Sequence, residues 1–142
     1  MKRSPELAAL SRDHHRALEA ALRLRRATDE TLEPAVGHFL EFWGRHGEQH
    51  FAIEERLLLP ALPDDDAEWA EATRRVHAEH REIRAGAASL ADASSVPAAR
   101  GVGELLTAHV RFEERTLFPL VEQRLSPAAL ADLGRALAAA EA

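Results

Sequence analysis

The sequence predicts an all-α protein, an up-down-up-down antiparallel four-helix bundle with a short fifth helix at its C-terminal end. Apolar residues recur at intervals of three and four along four long segments, the spacing of one face of a helix. No stretch of useful length alternates with the two-residue period of a β-strand. Four long helices with short connections favour an antiparallel bundle.

Prolines and capping residues mark where the first three helices begin and end. Ser4-Pro5-Glu6 combines a capping serine, a proline suited to the first turn and an acidic residue that the helix N-terminus favours. The second helix is expected to begin at Pro34 and to end before Pro60, because proline interrupts helical hydrogen bonding. Asp64-Asp65-Asp66 provides a cap and acidic first-turn residues for the third helix.

The last two helices follow serine–proline signals. Ser94-Ser95-Val96-Pro97 precedes the fourth helix, and Ser126-Pro127 precedes a short fifth helix that we expect to pack across one end of the bundle. At 142 residues the chain has the length of one domain. We therefore predict a single domain over 1–142, with helices at about 5–26, 34–59, 65–92, 97–124 and 127–140.

Composition limits the possible partners and sites. The net charge of −6 argues against nucleic acid as a partner, and the absence of cysteine excludes disulfides and thiolate metal sites. No apolar run suggests a membrane span or a secretory signal, so a cytoplasmic location without membrane association is the expectation. Nothing in the sequence identifies a protein partner.

An eleven-residue phrase occurs twice in the chain. His50-Phe-Ala-Ile-Glu54-Glu55-Arg-Leu-Leu-Leu-Pro60 returns as His109-Val-Arg-Phe-Glu113-Glu114-Arg-Thr-Leu-Phe-Pro119. Each copy places a histidine four residues before a glutamate, and residues at this spacing lie on one face of a helix. Each copy therefore presents an imidazole beside a carboxylate.

A further histidine precedes each copy. His15-Arg16-Ala17-Leu18 resembles His80-Arg81-Glu82-Ile83, and the intervals to the following phrase are 35 and 29 residues. The chain thus resembles two helical hairpins of one design. We predict that six side chains on otherwise apolar stripes form one metal site: His15, His50, Glu54, His80, His109 and Glu113.

Metal binding explains these polar residues on apolar stripes. Burying carboxylates and imidazoles in hydrocarbon without partners costs several kcal/mol. Imidazole and carboxylate ligands without thiolate suit iron, manganese or zinc. Two divalent ions are expected between the facing helices, with a bridging hydroxide or oxide to take up more of their charge. Without metal, the two facing carboxylates are expected to raise each other's pKa.

Other residues leave alternatives open. A lone histidine on an apolar stripe is more often a satisfied core residue than a ligand, but six matched positions are harder to explain in that way. His14 competes with His15, His77 could be a fifth imidazole, and His46 could support His50 or line an entrance.

The second glutamate of each phrase, Glu55 or Glu114, is expected to face solvent or the edge of the bundle. One residue further along a helix is a rotation of roughly 100°, which turns these side chains away from the predicted ligands. Arg56 and Arg115 are their expected partners in surface ion pairs.

Asp13-His14-His15-Arg16-Ala17-Leu18, the two His-x-x-x-Glu-Glu phrases and Glu79-His80-x-x-Ile83 together resemble the hemerythrin-like (HHE cation-binding) domain family. The resemblance implies a four-helix bundle around a non-haem di-iron centre, with Glu54 and Glu113 as bridges and His15, His50, His80 and His109 as terminal ligands.

The chain differs from the oxygen-carrying hemerythrins in two places. Those proteins have a second helix-three histidine four residues before the main one, where this chain has Val76, and they use a His-x-x-x-x-Asp spacing where it has His109-x-x-x-Glu113. It is closer to the bacterial hemerythrin-like branch.

The resemblance implies binding of dioxygen or a related diatomic ligand such as nitric oxide without catalysis, as in a sensor of oxygen, redox state or iron. One alternative is an enzyme that turns over peroxide or nitric oxide or aids the repair of iron centres. Another is a metal-responsive interaction module. The absence of tyrosine and cysteine near the metals favours binding over oxygenation.

Overall fold

The structure is a computed structural model that describes residues 2–141. All regular secondary structure within this range is helical, which confirms the predicted all-α class. Short 3-10 turns lie at Pro5–Leu7, before the first α-helix, and at Leu59–Ala61, after the π turn that follows the third. The α-helices are α1 (Ala8–Arg25), α2 (Leu32–Phe42), α3 (Glu48–Ile53), α4 (Ala67–Asp92), α5 (Val96–Phe112), α6 (Phe118–Arg124) and α7 (Pro127–Glu141).

Three π-helical turns join some of these helices into longer ones. Trp43–Gly47 connects α2 to α3, Glu54–Leu58 extends α3, and Glu113–Leu117 connects α5 to α6. The chain therefore has five continuous helical segments within the described range. A π turn contains an extra residue and is often found at functional sites. Two of the three begin at the glutamates of the duplicated phrase.

Capping explains where the third and fourth segments begin. The Asp66 carboxylate accepts a hydrogen bond from the backbone N–H of Trp69 at 3.1 Å, and the Ser95 hydroxyl accepts one from Ala98 at 3.2 Å. The second segment begins at Leu32, earlier than the expected Pro34. Pro34 lies in its first turn, where a missing N–H costs little.

The polar residues of the helix interiors separate two apolar cores. One core contains Leu24, Phe39, Ile83 and Leu106, and the other contains Leu10, Trp69, Val76 and Leu117. Along α1, His14 lies between a residue of the second core and a residue of the first, and His80 has the same place along α4. The histidines thus form a layer between two hydrophobic regions.

Helix α1 approaches α5 closely because of Gly103. A Cβ atom at this position would lie 2.7 Å from the carbonyl oxygen of Ala21 and 2.9 Å from the backbone nitrogen of Arg25. These contacts are with backbone, which cannot rotate away, so a larger residue would push the two helices apart. The close approach holds the helix of His14 against the helix of His109.

Helix α7 packs against the N-terminal turn Pro5–Leu7 and the π turn Glu54–Leu58. Its buried residues Leu133 and Leu137 belong to the second core. Within the described residues, none of the helices is both long enough and apolar enough to cross a membrane.

Candidate metal centre

Six side chains with metal-binding atoms meet in the layer between the two cores. Each is at most 5% exposed, although imidazoles and carboxylates are rarely so deeply buried without partners. Helix α1 provides one of them, α4 one, and the two copies of the duplicated phrase provide two each. The six are His14, His50, Glu54, His80, His109 and Glu113.

His14 occupies the place that the sequence analysis gave to His15. His14 continues the buried face of Leu10 and Ala17, whereas His15 is rotated by roughly 100° and is exposed. The preference for His15 over His14 in this layer is therefore corrected. The sequence contained a signal for the better alignment, because an acidic residue precedes both His14 and His80.

The six residues form two groups of four that share both glutamates. Within each group the ligand atoms lie within 4.8 Å of one another, an arrangement that could hold one metal ion per group. The two groups are His14, His50, Glu54 and Glu113, and Glu54, His80, His109 and Glu113.

Each shared glutamate directs one oxygen to each group. Glu54 Oε2 lies 3.2 Å from His50 Nε2, and Glu54 Oε1 lies 3.1 Å from His80 Nε2. Glu113 Oε1 lies 2.9 Å from His14 Nε2, and Glu113 Oε2 lies 3.2 Å from His109 Nε2. Both carboxylates therefore have the orientation of a bridge between two positions.

Four buried atoms at this centre have no hydrogen-bond partner: His50 Nε2, His109 Nε2, Glu54 Oε2 and Glu113 Oε2. An unsatisfied buried polar atom costs about 1–3 kcal/mol. All four belong to groups that coordinate iron, manganese or zinc, and they are divided equally between the two groups of residues. The residues present thus fit a pair of metal ions.

Each histidine is oriented from its outer side by a carboxylate. The bonded pairs, measured from Nδ1 to the carboxylate oxygen, are His14–Glu114 at 2.6 Å, His50–Asp13 at 3.1 Å, His80–Glu55 at 2.7 Å and His109–Glu79 at 2.8 Å. A proton on Nδ1 donated to the carboxylate leaves the Nε2 lone pair directed inward. This arrangement suits metal-ligating histidines.

Glu55 and Glu114 lie at the edge of the bundle, one of the two expected places, with 25% and 30% of their side chains exposed, but the expected pairing with Arg56 and Arg115 was wrong. Both arginines are exposed, while the two glutamates bond buried histidines of the other half of the chain. A single helical rotation angle suggested the surface, but it ignored the π turns in which both glutamates lie.

An arginine holds each of the four outer carboxylates. Arg84 binds Glu55 through two hydrogen bonds, of 2.7 and 3.0 Å. The remaining pairs are Arg75–Glu79 at 3.0 Å, Arg16–Asp13 at 2.8 Å and Arg3–Glu114 at 3.3 Å. These ion pairs fix the carboxylates, which in turn fix the histidine rings.

The charges at the centre favour protonated histidines in the absence of metal. Burial alone would lower the pKa of His109, but the charge of Glu113 and hydrogen bonds to carboxylates outweigh burial and raise its pKa to about 10. Similarly, the carboxylates of Glu113, 3.8 Å from His80 Nε2, and of Glu54, which is bonded to it at 3.1 Å, outweigh burial and raise the pKa of His80 to about 9. The expected raised carboxyl pKa is corrected for Glu113: burial would raise it, but the surrounding histidines lower it well below its usual range.

Phenylalanine rings pack against two of the histidines. Phe51 stacks on His80 with ring centroids 3.7 Å apart and 8° between the planes, and Arg84 lies over its ring at 5.7 Å. Phe118 lies nearly parallel to His14 with centroids 5.3 Å apart, and Arg3 lies over that ring at 5.3 Å. His80 is therefore the more tightly packed of the two.

A small cavity of about 10 Å³ adjoins the centre. This is close to the smallest volume that can hold a single water molecule. Its wall includes three of the histidines, His14, His50 and His109. The rest of the wall is mainly apolar, with Ala17, Phe42, Trp43, Gly47, Phe51, Leu106 and Val110.

A larger polar cleft of about 250 Å³ reaches the centre from outside. His50 and its partner Asp13 line it, together with His46, so the structure places His46 at an opening beside His50. His77 is exposed on α4 and is not among the residues that meet at the centre.

Comparison with protein families matches residues 6–121 to the hemerythrin HHE cation binding domain. The chain belongs to this family. The hemerythrin HHE match extends from the start of α1 through most of α6 and therefore includes all six residues of the centre. No curated protein and no solved structure gives a significant match. Family membership and the buried histidine–glutamate cluster together indicate a metal-binding site.

Proposed function

We propose that the protein holds two iron ions at this centre, with an oxo or hydroxo bridge, and binds dioxygen or a related diatomic ligand such as nitric oxide. The observation that carries the proposal is the sharing of Glu54 and Glu113 by two pairs of histidines. Two ions in adjacent positions are the simplest explanation for carboxylates that each face both pairs.

The ligand types support iron. The inner set contains four imidazoles and two carboxylates, and the chain has no cysteine. Such a set suits iron, and manganese and zinc remain the competing metals. With two histidines and two shared carboxylates per position, coordination sites are left for an external molecule.

The chain's own residues would select and orient the diatomic ligand. The cavity beside His14, His50 and His109 is about 10 Å³ in volume, which favours a very small molecule. Its wall combines Asp13 and three histidines with apolar residues, while the outer carboxylates hold the histidine rings still. Bound iron would supply an open coordination position and a redox couple.

We also propose a branch within the family and an arrangement of the helices. The His109-x-x-x-Glu113 spacing supports the bacterial hemerythrin-like branch, and the short connections support an up-down-up-down bundle capped by α7. A cytoplasmic sensor of oxygen, redox state or iron is the role we propose.

Metal analysis and an optical spectrum test the proposal. Protein produced with iron should contain about two ions per chain, and the reduced form should develop charge-transfer bands in air that disappear when the oxygen is removed. The variant His50→Ala/His109→Ala should bind no iron, whereas the matched control His15→Ala/His77→Ala changes two exposed histidines and should retain both ions.

Other outcomes would identify the alternatives. Irreversible oxidation in air, or turnover of peroxide or nitric oxide, would favour an enzyme or a repair protein. A well-folded chain without metal after growth in iron-rich medium would contradict the proposal and leave an interaction module.

A further inference from the structure

We infer that the two metal positions exchange their ions at different rates. The His14/His50 position is filled last and emptied first, and its ion passes through the polar cleft. This inference rests on the two-ion centre of the proposed function. It concerns which residues control access to that centre and applies to divalent ions such as Fe²⁺.

The first observation is that the cleft reaches only one side of the centre. Its wall includes His50 and Asp13 but neither His80 nor His109. Asp13 bonds His50 at 3.1 Å, the longest of the four bonds between a histidine and an outer carboxylate. An ion that leaves His50 toward the cleft therefore meets Asp13 first.

The second observation is that the opposite position is closed. His80 is fully buried and His109 is 1% exposed. Phe51 stacks directly on the His80 ring, and Arg84 clamps Glu55 behind it. His50 has no such cover, because its aromatic neighbours His14 and Phe51 are tilted or edge-on to its ring.

The walls of the cleft offer oxygen and nitrogen atoms to a passing cation beside two fixed positive charges. Asp13 and Glu141 provide carboxylates, and Gln49 and His46 provide an amide and an imidazole. Arg12 and Arg16 add guanidinium groups, and that of Arg16 is paired with Asp13 at 2.8 Å. Gln49 also donates a hydrogen bond of 3.5 Å to the carbonyl oxygen of Ala140, which ties the end of α7 to the cleft. The end of α7 is thus part of the wall that an exchanging ion passes.

A half-filled centre is chemically reasonable under this scheme. When the His14/His50 position is empty, the other ion retains two imidazoles from His80 and His109 and the carboxylates of Glu54 and Glu113. Four protein ligands are enough to hold a single divalent ion. Loss of the first ion therefore need not release the second.

Release kinetics test the inference without any assay of activity. Anaerobic protein loaded with Fe²⁺ is mixed with excess ferrous chelator, and release should show two phases of equal amplitude. Ala9→Phe narrows the cleft and should slow the fast phase roughly tenfold, a change of about 1.4 kcal/mol in the barrier. Gln49→Ala, which frees the end of α7, should accelerate it.

Ala88→Phe is the matched control, because Ala88 is exposed on α4 and does not line the cleft. It should leave both phases unchanged. Two results would overturn the proposed route. One is a fast phase that Ala9→Phe does not slow, and the other is a fast phase that Ala88→Phe slows as much as Ala9→Phe does.

Single-ligand variants assign the phases. His50→Ala should remove the fast phase and retain about one slowly released ion. His109→Ala should instead reduce the amplitude of the slow phase. The reverse pattern, or a single phase for both ions in the parent protein, would overturn the inference while leaving the two-ion centre intact. Binding of fewer than two ions by the parent protein would instead contradict the proposed function itself.

Discussion

The two copies of the eleven-residue phrase build the same inner ligands in different surroundings. In both, a π turn begins at the inward-facing glutamate, as Glu54–Leu58 and Glu113–Leu117. Only the first copy has another π turn before it, Trp43–Gly47, whereas uninterrupted α5 precedes the second. That extra turn carries residues of the small apolar cavity. Duplication thus explains the repeated histidine–glutamate pairs of the centre, and the segment upstream of the first copy lines the cavity beside them.

The shared π turns explain why two consecutive glutamates have different partners. Glu54 faces the centre, and Glu55 bonds the outer nitrogen of His80 in the other half of the chain. Glu113 and Glu114 repeat this relation with His14. Each half therefore orients the single histidine of the other half, which makes the centre depend on both.

The largest expected effect concerns the shared carboxylates, for which the two copies should be equivalent. Glu54→Ala and Glu113→Ala each remove an oxygen from both groups of ligands. Either variant should therefore lose both ions, as measured by metal analysis after growth in iron-rich medium. The exposed Glu82→Ala serves as a control with full metal content. Loss of one ion only would show that the carboxylates are not shared.

The next effect is the coupling of metal binding to stability and pH. A ligand at a thousandfold excess over its Kd stabilises the native state by roughly 4 kcal/mol, so the iron-loaded protein should melt at a clearly higher temperature. The metal-free protein should lose stability as pH rises, because histidines with raised pKa values stabilise it most below their ordinary value of 6.5 and cease to do so above about 9 to 10.

Metal binding should respond to pH in the opposite direction. The ion displaces protons from the histidines, so its apparent affinity should rise with pH, and the gap in melting temperature should widen. Thermal unfolding of both forms between about pH 6 and pH 9 measures this gap. A gap that is constant over this range would contradict proton competition at these histidines.

A smaller effect should distinguish the two halves. Glu55→Ala removes the partner of His80, and Glu114→Ala removes the partner of His14. Loss of such an orienting partner typically lowers metal affinity by roughly 10- to 100-fold. Affinity titrations should show a loss in this range at one ion in each variant. Unchanged affinity in both would mean that the outer carboxylates are ordinary surface charges.

A further prediction tests the turn that is unique to the first copy. A Cβ atom at Gly47 would lie 2.5 Å from the Trp43 ring, whereas Gly44 in the same turn has no atom within 4 Å of such a Cβ. Gly44→Ala should stabilise the protein by roughly 0.5–1 kcal/mol, the usual gain from replacing a helical glycine. Gly47→Ala should instead cost about 1–3 kcal/mol by overpacking.

The same pair of variants tests the cavity. Gly47→Ala should displace Trp43 and accelerate release of nitric oxide without changing metal content, and Gly44→Ala should change neither. Chemical unfolding and stopped-flow release measure the two effects. Identical behaviour of both variants would show that Trp43 does not shape the ligand cavity.

The sequence predicted the helical class and most of the side chains that meet at the centre, because helix punctuation and the spacing of four residues are local signals. It favoured His15 over His14, because a one-residue change of register alters the buried face but hardly alters the local pattern. Asp13, the acidic residue before His14, resolves the choice only when the contact of Asp13 with His50 is known.

The π turns and the roles of Glu55 and Glu114 were not predictable for a different reason. A single helical period was applied across the phrase, and the extra residue of a π turn breaks that period. The partners of these glutamates lie in the other half of the chain, 25 and 100 residues away. Contacts at such separation depend on how the helices pack.

The positions of the two tryptophans give the protein two independent intrinsic fluorophores. The ring of Trp43 lies 5.2 Å from Phe51, which itself stacks on His80, so its emission should be quenched when iron occupies the centre. Trp69 is buried in the second core and donates a hydrogen bond to the carbonyl oxygen of Leu59 at 3.2 Å. Emission from Trp69 should therefore report unfolding. In variants that keep only one of the two tryptophans, fluorescence can then measure iron occupancy and the integrity of the fold separately, without an added label.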